Sequence, residues 1–298
     1  MMANLLQHKV ELSIIIPHYN SPKELKRLLT TIPKEEAIQT IVIDDLSNKD
    51  IDIYEQVKVE FGNYVEFYDN RINNKTAGGA RNIGLEMAKG TWLIFADADD
   101  YFCEDWWNSV KKYLTNEADI IFFPPYSVVE GTKTPSDRHI PYACMAYSAY
   151  DEIRKGKLSR RKEIEIRYGW WGPWSKLVKR SLIEKYNIKF DVVKYSNDVK
   201  FSSLAGYYAE KIDVAWEYIY CITKGSGTLT TSIDDEKEKE FENNLRAKIY
   251  KEIFDFWFYS LSFKDGCLLC DIRGLLRKIN YMRKRIQHKL KNITKRFR

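Results

Sequence analysis

Leu93-Ile94-Phe95-Ala96-Asp97-Ala98-Asp99-Asp100 joins a short apolar run to three carboxylates within four residues. The apolar part reads as a buried strand. Carboxylates repel one another and are seldom gathered unless something cationic neutralises them, commonly a divalent metal or a basic partner. Alternate residues of an extended segment face the same side, so Asp97 and Asp99 can meet one ligand while Asp100 diverges. A hard, oxygen-preferring ion, Mn2+ or Mg2+, suits such a pair and keeps positions open for substrate phosphates. A solvated turn with Asp100 as a helix cap is the competing reading.

Working outward, the first 125 residues alternate between two periods. Strand-like runs cover 12–16, 40–43, 65–68, 92–95 and 119–123, with helix-like stretches near 22–31, 50–60, 79–89 and 104–114. Strands separated by helices predict a doubly wound, mostly parallel α/β sheet. Ligands of such sheets bind at the carboxyl ends of strands. Three polar motifs sit at those ends: 17–20, 44–47 and 97–100.

Ala77-Gly78-Gly79-Ala80-Arg81-Asn82 is the nearest approach to a phosphate loop, but it is neither a dinucleotide fingerprint nor a P-loop. Its small residues would let a helix N-terminus approach a ligand, with Arg81 free to pair with phosphate. Residues 126–170 carry a weaker pattern, and 151–167 read as a charged helical or mobile surface segment. Trp170-Trp171-Gly172-Pro173-Trp174 follows; its Gly-Pro turn would present some of the rings at a surface. Ser196-Asn197-Asp198 looks like a helix start, which on spacing alone makes Asp198 a residue that complements the helix dipole.

The succession of these motifs resembles glycosyltransferase family 2, inverting enzymes of the GT-A fold, and of the bacterial surface-polysaccharide type. The likeness runs from about Leu12 to Thr231. Ile14-Ile15-Ile16-Pro17-His18-Tyr19-Asn20 is similar to its apolar strand and P-x-Y-N signature. Ile43-Asp44-Asp45-Leu46-Ser47 resembles V-D-D-G-S with Leu46 for Gly. Asn74 and Ala80-Arg81-Asn82-Ile83-Gly84 resemble N-x-G-x-x-x-A-R-N-x-G, with Thr76 for the first Gly. Asp97-Ala98-Asp99-Asp100 matches D-x-D-D. Trp174-Ser175-Lys176-Leu177 is similar to W-N-K-L, and Asn197-Asp198-Val199-Lys200-Phe201 to E-D-x-x-F with Asn197 for Glu.

The resemblance implies a GT-A domain with a nucleotide-sugar-binding half (1–125), an acceptor-binding half (126–232) and a helical C-terminal extension (233–298). It implies transfer of a sugar, commonly UDP-linked, to a hydroxyl of a glycan or lipid-linked glycan with inversion. Asp99 would hold the metal, and Asp97 would share it or hold the ribose. Asp44 and Asp45 would face uracil or ribose beside Pro17, Tyr19 and Asn20, with Ala98 and Arg81 along the donor. Asp198 would be the general base. Trp170, Trp171 and Trp174 are candidates for acceptor contacts. Nucleotidyl transfer also uses acidic sheet edges, but no basic triphosphate loop is visible. A non-catalytic nucleotide-sugar-binding scaffold would not need Asp97, Asp99 and Asp198 together.

Charge divides the chain unevenly. Residues 271–298 hold eleven Lys and Arg against one acid, a net +10, so the rest carries −4 of the total +6. A nucleic-acid enzyme would instead carry basic charge around its active face, so no nucleic-acid partner is expected. Neither a signal peptide nor a run of about 18 apolar residues is present, which predicts a cytoplasmic protein. Five Cys agree with a reducing compartment, and the lone Cys267-x-x-Cys270 has no companion cluster. Ile272, Leu275, Leu276, Ile279, Ile286, Leu290 and Ile293 recur at helical intervals among the basic residues. Such a helix reads as a peripheral anchor on an anionic membrane, here the inner face of the cell membrane. Truncation after Asp271 is therefore expected to release the protein from anionic vesicles. Pelleting of the intact chain should weaken as salt shortens the reach of its charges. Equal pelleting of both forms would assign attachment elsewhere.

Overall fold

The seven residues of β1 (Leu12–His18) are all buried, and the sheet is built around them. A strand covered on both faces needs apolar side chains at consecutive positions, which Leu12-Ser13-Ile14-Ile15-Ile16 nearly supplies. The computed structural model describes residues 9–71 and 75–225. β1 pairs in parallel with β2 (Ile38–Asp44) and with β4 (Trp92–Phe95); β3 (Val65–Asp69) lies outside β2. The intervening helices are α1 (Pro22–Thr30), α2 (Ile51–Phe61) and α3 (Ala77–Met87). These elements lie where the two periods of the sequence predict them.

The second half completes the same sheet. Beyond β4 lie β8 (Lys176–Lys179), β6 (Ile120–Phe122) and β9 (Ile212–Val214), giving seven strands in the order β3-β2-β1-β4-β8-β6-β9. Only β8 runs against its neighbours, antiparallel to both β4 and β6. A small second sheet contains β5 (Tyr101–Phe102), β10 (Tyr220–Lys224) and β7 (Tyr126–Val129), with β10 in the middle. The remaining helices are α4 (Trp106–Lys111), α5 (Ile140–Arg154), α6 (Arg160–Gly169), α7 (Arg180–Lys185) and α8 (Asn197–Tyr208). Described residues on both sides of position 125 therefore contribute strands to one sheet. The expected extension at 233–298, with its basic tail and Cys267-x-x-Cys270, lies outside the described residues. Among those described, no helix is long and apolar enough to cross a membrane, and Cys103, Cys144 and Cys221 are free thiols.

Two glycines set how closely α3 approaches its surroundings. A Cβ on Gly84 would lie 2.4 Å from Ile15 Cγ2 and 2.9 Å from Ile43 Cδ1, so the helix rests directly on β1 and β2. A Cβ on Gly78 would lie 2.1 Å from the backbone oxygen of Asp191, which cannot swing aside as a side chain could. Thr76 caps the helix, its hydroxyl accepting from Gly79 N at 3.0 Å. Gly78→Ala is thus expected to force the 191–197 segment away from α3 and destabilise the fold by about 1–3 kcal/mol. Urea unfolding would measure it, and an unchanged midpoint would show that the contact yields freely.

Candidate active site

The end of β4 is held by hydrogen bonds that reach across the sequence. Asp97 N donates to the hydroxyl of Tyr220 at 2.8 Å, and that hydroxyl donates to Asp100 Oδ2 at 2.9 Å. Thr223 N donates to Asp100 Oδ1 at 2.7 Å. Asp100 therefore fastens β10 beneath the motif and caps no helix. Burial, with Asp99 and Asp97 close by, holds its carboxyl well above the usual carboxylate range. The network leaves Asp97 partly exposed and Asp99 open to solvent. Asp99 is nonetheless wrapped by enough protein, and sits near enough to Asp97, that its carboxyl is pushed up to about 6. Arg27 Nη2 donates to the Asp99 carbonyl, while the Arg138 charge opposes the rise of its carboxyl.

Arg81 is the brace of the site. It is 6% exposed; Nη2 donates to Asp97 Oδ1 at 2.6 Å and Nη1 to Asn197 Oδ1 at 2.7 Å, with Nε unpartnered. Next to it, Asn82 exchanges two hydrogen bonds with the backbone of Phe190, at 2.9 Å and 2.8 Å. Together they bring the start of α8, and with it Asp198, to the edge that carries Asp97. Burial raises the Asp198 carboxyl above its ordinary range, against the pull of Arg81 and, more weakly, Lys176. Each terminal nitrogen of Arg81 thus spends one hydrogen bond on protein, while Nε has none.

The loops after β1 and β2 lock together in the same way. Buried His18 donates Nδ1–H to Asp44 Oδ1 at 2.8 Å and accepts from Ser21 N at Nε2 at 3.2 Å, a pairing that specifies the tautomer. Asp44 also accepts from Ser47 N at 2.9 Å and from the Ser47 hydroxyl. Burial acts to raise its carboxyl, but the hydrogen bonds from His18 and Ser47 outweigh this and hold it below the usual range. Asp44, expected at uracil or ribose, accepts three hydrogen bonds from within the protein. Asn20 likewise clamps Asn48 N and Lys49 N at 2.8 Å and 3.0 Å through its side-chain oxygen. Pro17 is buried in β1. Asp45 keeps one carboxyl oxygen on Asn70 Nδ2 at 2.6 Å, and burial raises it. Tyr19 is exposed, with Lys75 Nζ 4.1 Å from its ring centroid, and is the open aromatic face at this rim.

The description "Glycosyl transferase family 2" matches residues 13–186, more than half of the chain. The chain belongs to glycosyltransferase family 2. It is similar to a poly(ribitol-phosphate) beta-glucosyltransferase of Bacillus spizizenii, 29% identical over 71% of this chain and 32% of the relative. It is 26% identical to the poly(ribitol-phosphate) beta-N-acetylglucosaminyltransferase TarP of Staphylococcus aureus, over 82% of this chain and 72% of TarP. The chain thus spans about a third of the first of these relatives and most of the second. A crystal structure of Staphylococcus aureus TarS residues 1–349 with UDP-GlcNAc superposes with a TM-score of 0.61 at 23% identity, covering 78% of this chain and 64% of that one. The fold is GT-A-like.

The departures from the family-2 pattern now have local explanations. Leu46 adopts φ 59°, the left-handed conformation that a glycine would take, and is half exposed. The loop geometry survives at a cost of about 1–2 kcal/mol. Asn197 keeps a hydrogen bond to Arg81 without adding a negative charge, leaving the guanidinium to serve Asp97 and Asp198. Ser175, where Asn is usual, also has positive φ and donates its hydroxyl to Phe123 O at 2.9 Å.

The tryptophan expectation needs correction. Trp170 is fully buried, packed on Phe122 and Tyr142 at 5.3 Å and 5.2 Å, and has no face for an acceptor. Trp174 is nearly as enclosed and stacks on Tyr220 at 6.0 Å; Trp171 alone retains partial exposure. Tyr220 and Thr223 were not legible as site residues, because nothing in their own neighbourhood marks their bonds to Asp97 and Asp100. Lys176 is more informative. It is buried, donates to Ser202 Oγ at 3.0 Å and Trp170 O at 3.3 Å, and burial pulls its ammonium down to about 7. The W-S-K-L motif was its signal, although the motif names no role.

Proposed function

We propose that this protein transfers a sugar from a UDP-sugar to a hydroxyl of a glycan or lipid-linked glycan, with inversion, in the synthesis of a bacterial surface polysaccharide. The observation that carries the reading is the Arg81 brace, which brings the D-x-D carboxylates and Asp198 to one sheet edge. The named glucosyl- and N-acetylglucosaminyltransferase relatives support a hexosyl or N-acetylhexosaminyl donor.

The residues fit a divalent cation. Among the described residues no group of three or more His, Cys, Asp or Glu could hold one alone. Two carboxylates whose charges oppose each other, with Asp99 open to solvent, match a hard ion completed by donor phosphates. Asp99 would hold it, with Asp97 beside it. The bound ion supplies positive charge to the departing diphosphate. Asp198 accepts the acceptor hydroxyl's proton as that oxygen bonds to the anomeric carbon. The anomeric carbon–oxygen bond breaks and its electron pair leaves with UDP. Asp45 and Tyr19 flank the nucleoside, while Asp44, Asn20 and Arg81 keep the frame rigid. Peripheral attachment through 271–298 remains part of this proposal.

UDP release from a panel of UDP-sugars, with and without Mn2+, tests the reading directly; no metal-stimulated release from any of them would sink it. Asp99→Asn is expected to abolish Mn2+-dependent UDP binding, measured by calorimetry, while thermal unfolding stays close to wild type. Unchanged affinity would remove Asp99 from the site.

Asp198→Asn should leave UDP binding nearly intact and lower transfer by about 10²–10⁴-fold. Because Asp198 acts deprotonated and its pKa is raised, transfer should be present above that pKa and lost as pH falls through it. The acid limb should therefore lie above about 3.9, the ordinary Asp value. A limb at or below that value, or transfer by the variant near wild type, would reduce Asp198 to a helix-start residue.

A further inference from the structure

Five aromatic side chains from two elements and one connecting link touch in series on the acceptor half. Tyr126 of β7 lies 6.1 Å from Tyr218, and Tyr218 lies 6.2 Å from Tyr147 of α5. Tyr147 is 4.5 Å from Trp216, which in turn is 5.2 Å from Tyr150, one helical turn further along α5. Trp216 is 52% exposed and Tyr218 42% exposed; both belong to the link between β9 and β10. Tyr126, Tyr147 and Tyr150 are half-buried behind them. Large rings usually lie inward, and two exposed rings in contact with a half-buried aromatic row mark a binding surface more than chance exposure does.

The run is fixed in place. The Arg154 guanidinium lies 4.9 Å over Tyr150 while donating to Val214 O at 3.1 Å. Rigid rings lose little conformational freedom when a ligand arrives. The run is also continuous with the donor edge. Tyr126 is in register with Cys221, beside Tyr220, whose hydroxyl bonds both Asp97 and Asp100. Arg138 donates to Thr223 O at 3.1 Å and is the cation whose field reaches Asp99.

We propose that Tyr126, Tyr218, Tyr147, Trp216 and Tyr150 form a ladder that binds the acceptor glycan chain, with Arg138 at its catalytic end. This deepens the glycosyl-transfer reading and rests on it. Sugar rings present C–H faces that stack on aromatic planes and a rim of hydroxyls that suits phenols. Successive ring contacts offer repeated platforms to a repeating polymer. A folded protein partner would have to match rings tilted at 50° to 84° from one another, whereas separate sugar units adapt to each platform in turn.

The test uses the full chain on an array of defined bacterial polysaccharide fragments, in the presence of UDP and Mn2+. Wild type should bind a subset of fragments. Trp216→Ala and Tyr218→Ala should each bind them about tenfold more weakly or less, and Trp216→Phe should retain most of the affinity. UDP affinity by calorimetry and metal-stimulated UDP release should stay at wild-type values in all three. Loss of UDP release in wild type would instead count against the glycosyl-transfer reading, independently of the ladder. Equal fragment binding by the alanine variants would overturn the ladder, as would absence of fragment binding by wild type that still releases UDP. A change in sedimentation of Trp216→Ala with fragment binding intact would assign the surface to protein contact and overturn it as well. Should one alanine variant fail to fold, the other and Trp216→Phe decide the outcome.

Discussion

The structure depends on one electrostatic constraint: four carboxylates converge on a sheet edge that buries one deeply and encloses parts of the others. Asp97, Asp99, Asp100 and Asp198 could not stay together without specific partners. Arg81 supplies one, bonding Asp97 and standing near enough to Asp198 to oppose the effect of burial. Tyr220 and Thr223 supply the other by donating to Asp100. The arrangement leaves Asp99 as the carboxylate most exposed to solvent and least compensated by neighbouring side chains, which is the condition a cation-binding residue needs.

The same arrangement divides labour among residues that look alike in the sequence. Asp44 and Asp45 are adjacent and equally buried, but Asp44 accepts from His18 and Ser47 while Asp45 accepts from Asn70. Asn20 and Arg81 belong to motifs that suggest ligand contact, yet each spends its hydrogen bonds holding one loop against another. A buried charge with its partners removed is costly, so such bracing residues resist change as strongly as groups that touch substrate.

The parallel core was legible because β1, β2, β3 and β4 each carry a local apolar run and the helices between them carry a different period. What was not legible is non-local. Trp170 has the composition of a surface cluster, and only its packing on Phe122, 48 residues earlier, makes it core. β8, β9 and β10 are three to five residues long, too short for periodicity to stand out from the surrounding chain. Asp97, Asp99 and Asp198 could be picked out as candidates. The identity of what restrains them could not, since Asp100 is bonded to residues 120 and 123 positions away.

The reversal of β8 decides where this architecture can grow. β1, β2 and β4 deliver their outgoing loops to the edge that carries the carboxylates, whereas an antiparallel strand delivers its incoming one. In the register that sets Leu93 against Val178 and Trp92 against Lys179, the start of β8 lies beside the end of β4. Extra residues inserted between Trp171 and Ser175 would therefore accumulate over the carboxylate edge and crowd whatever binds there. The same number inserted between β8 and α7 would emerge at the far edge of the sheet and leave that surface clear. The direction of a single four-residue strand thus separates positions where length would alter specificity from positions where it would add bulk alone.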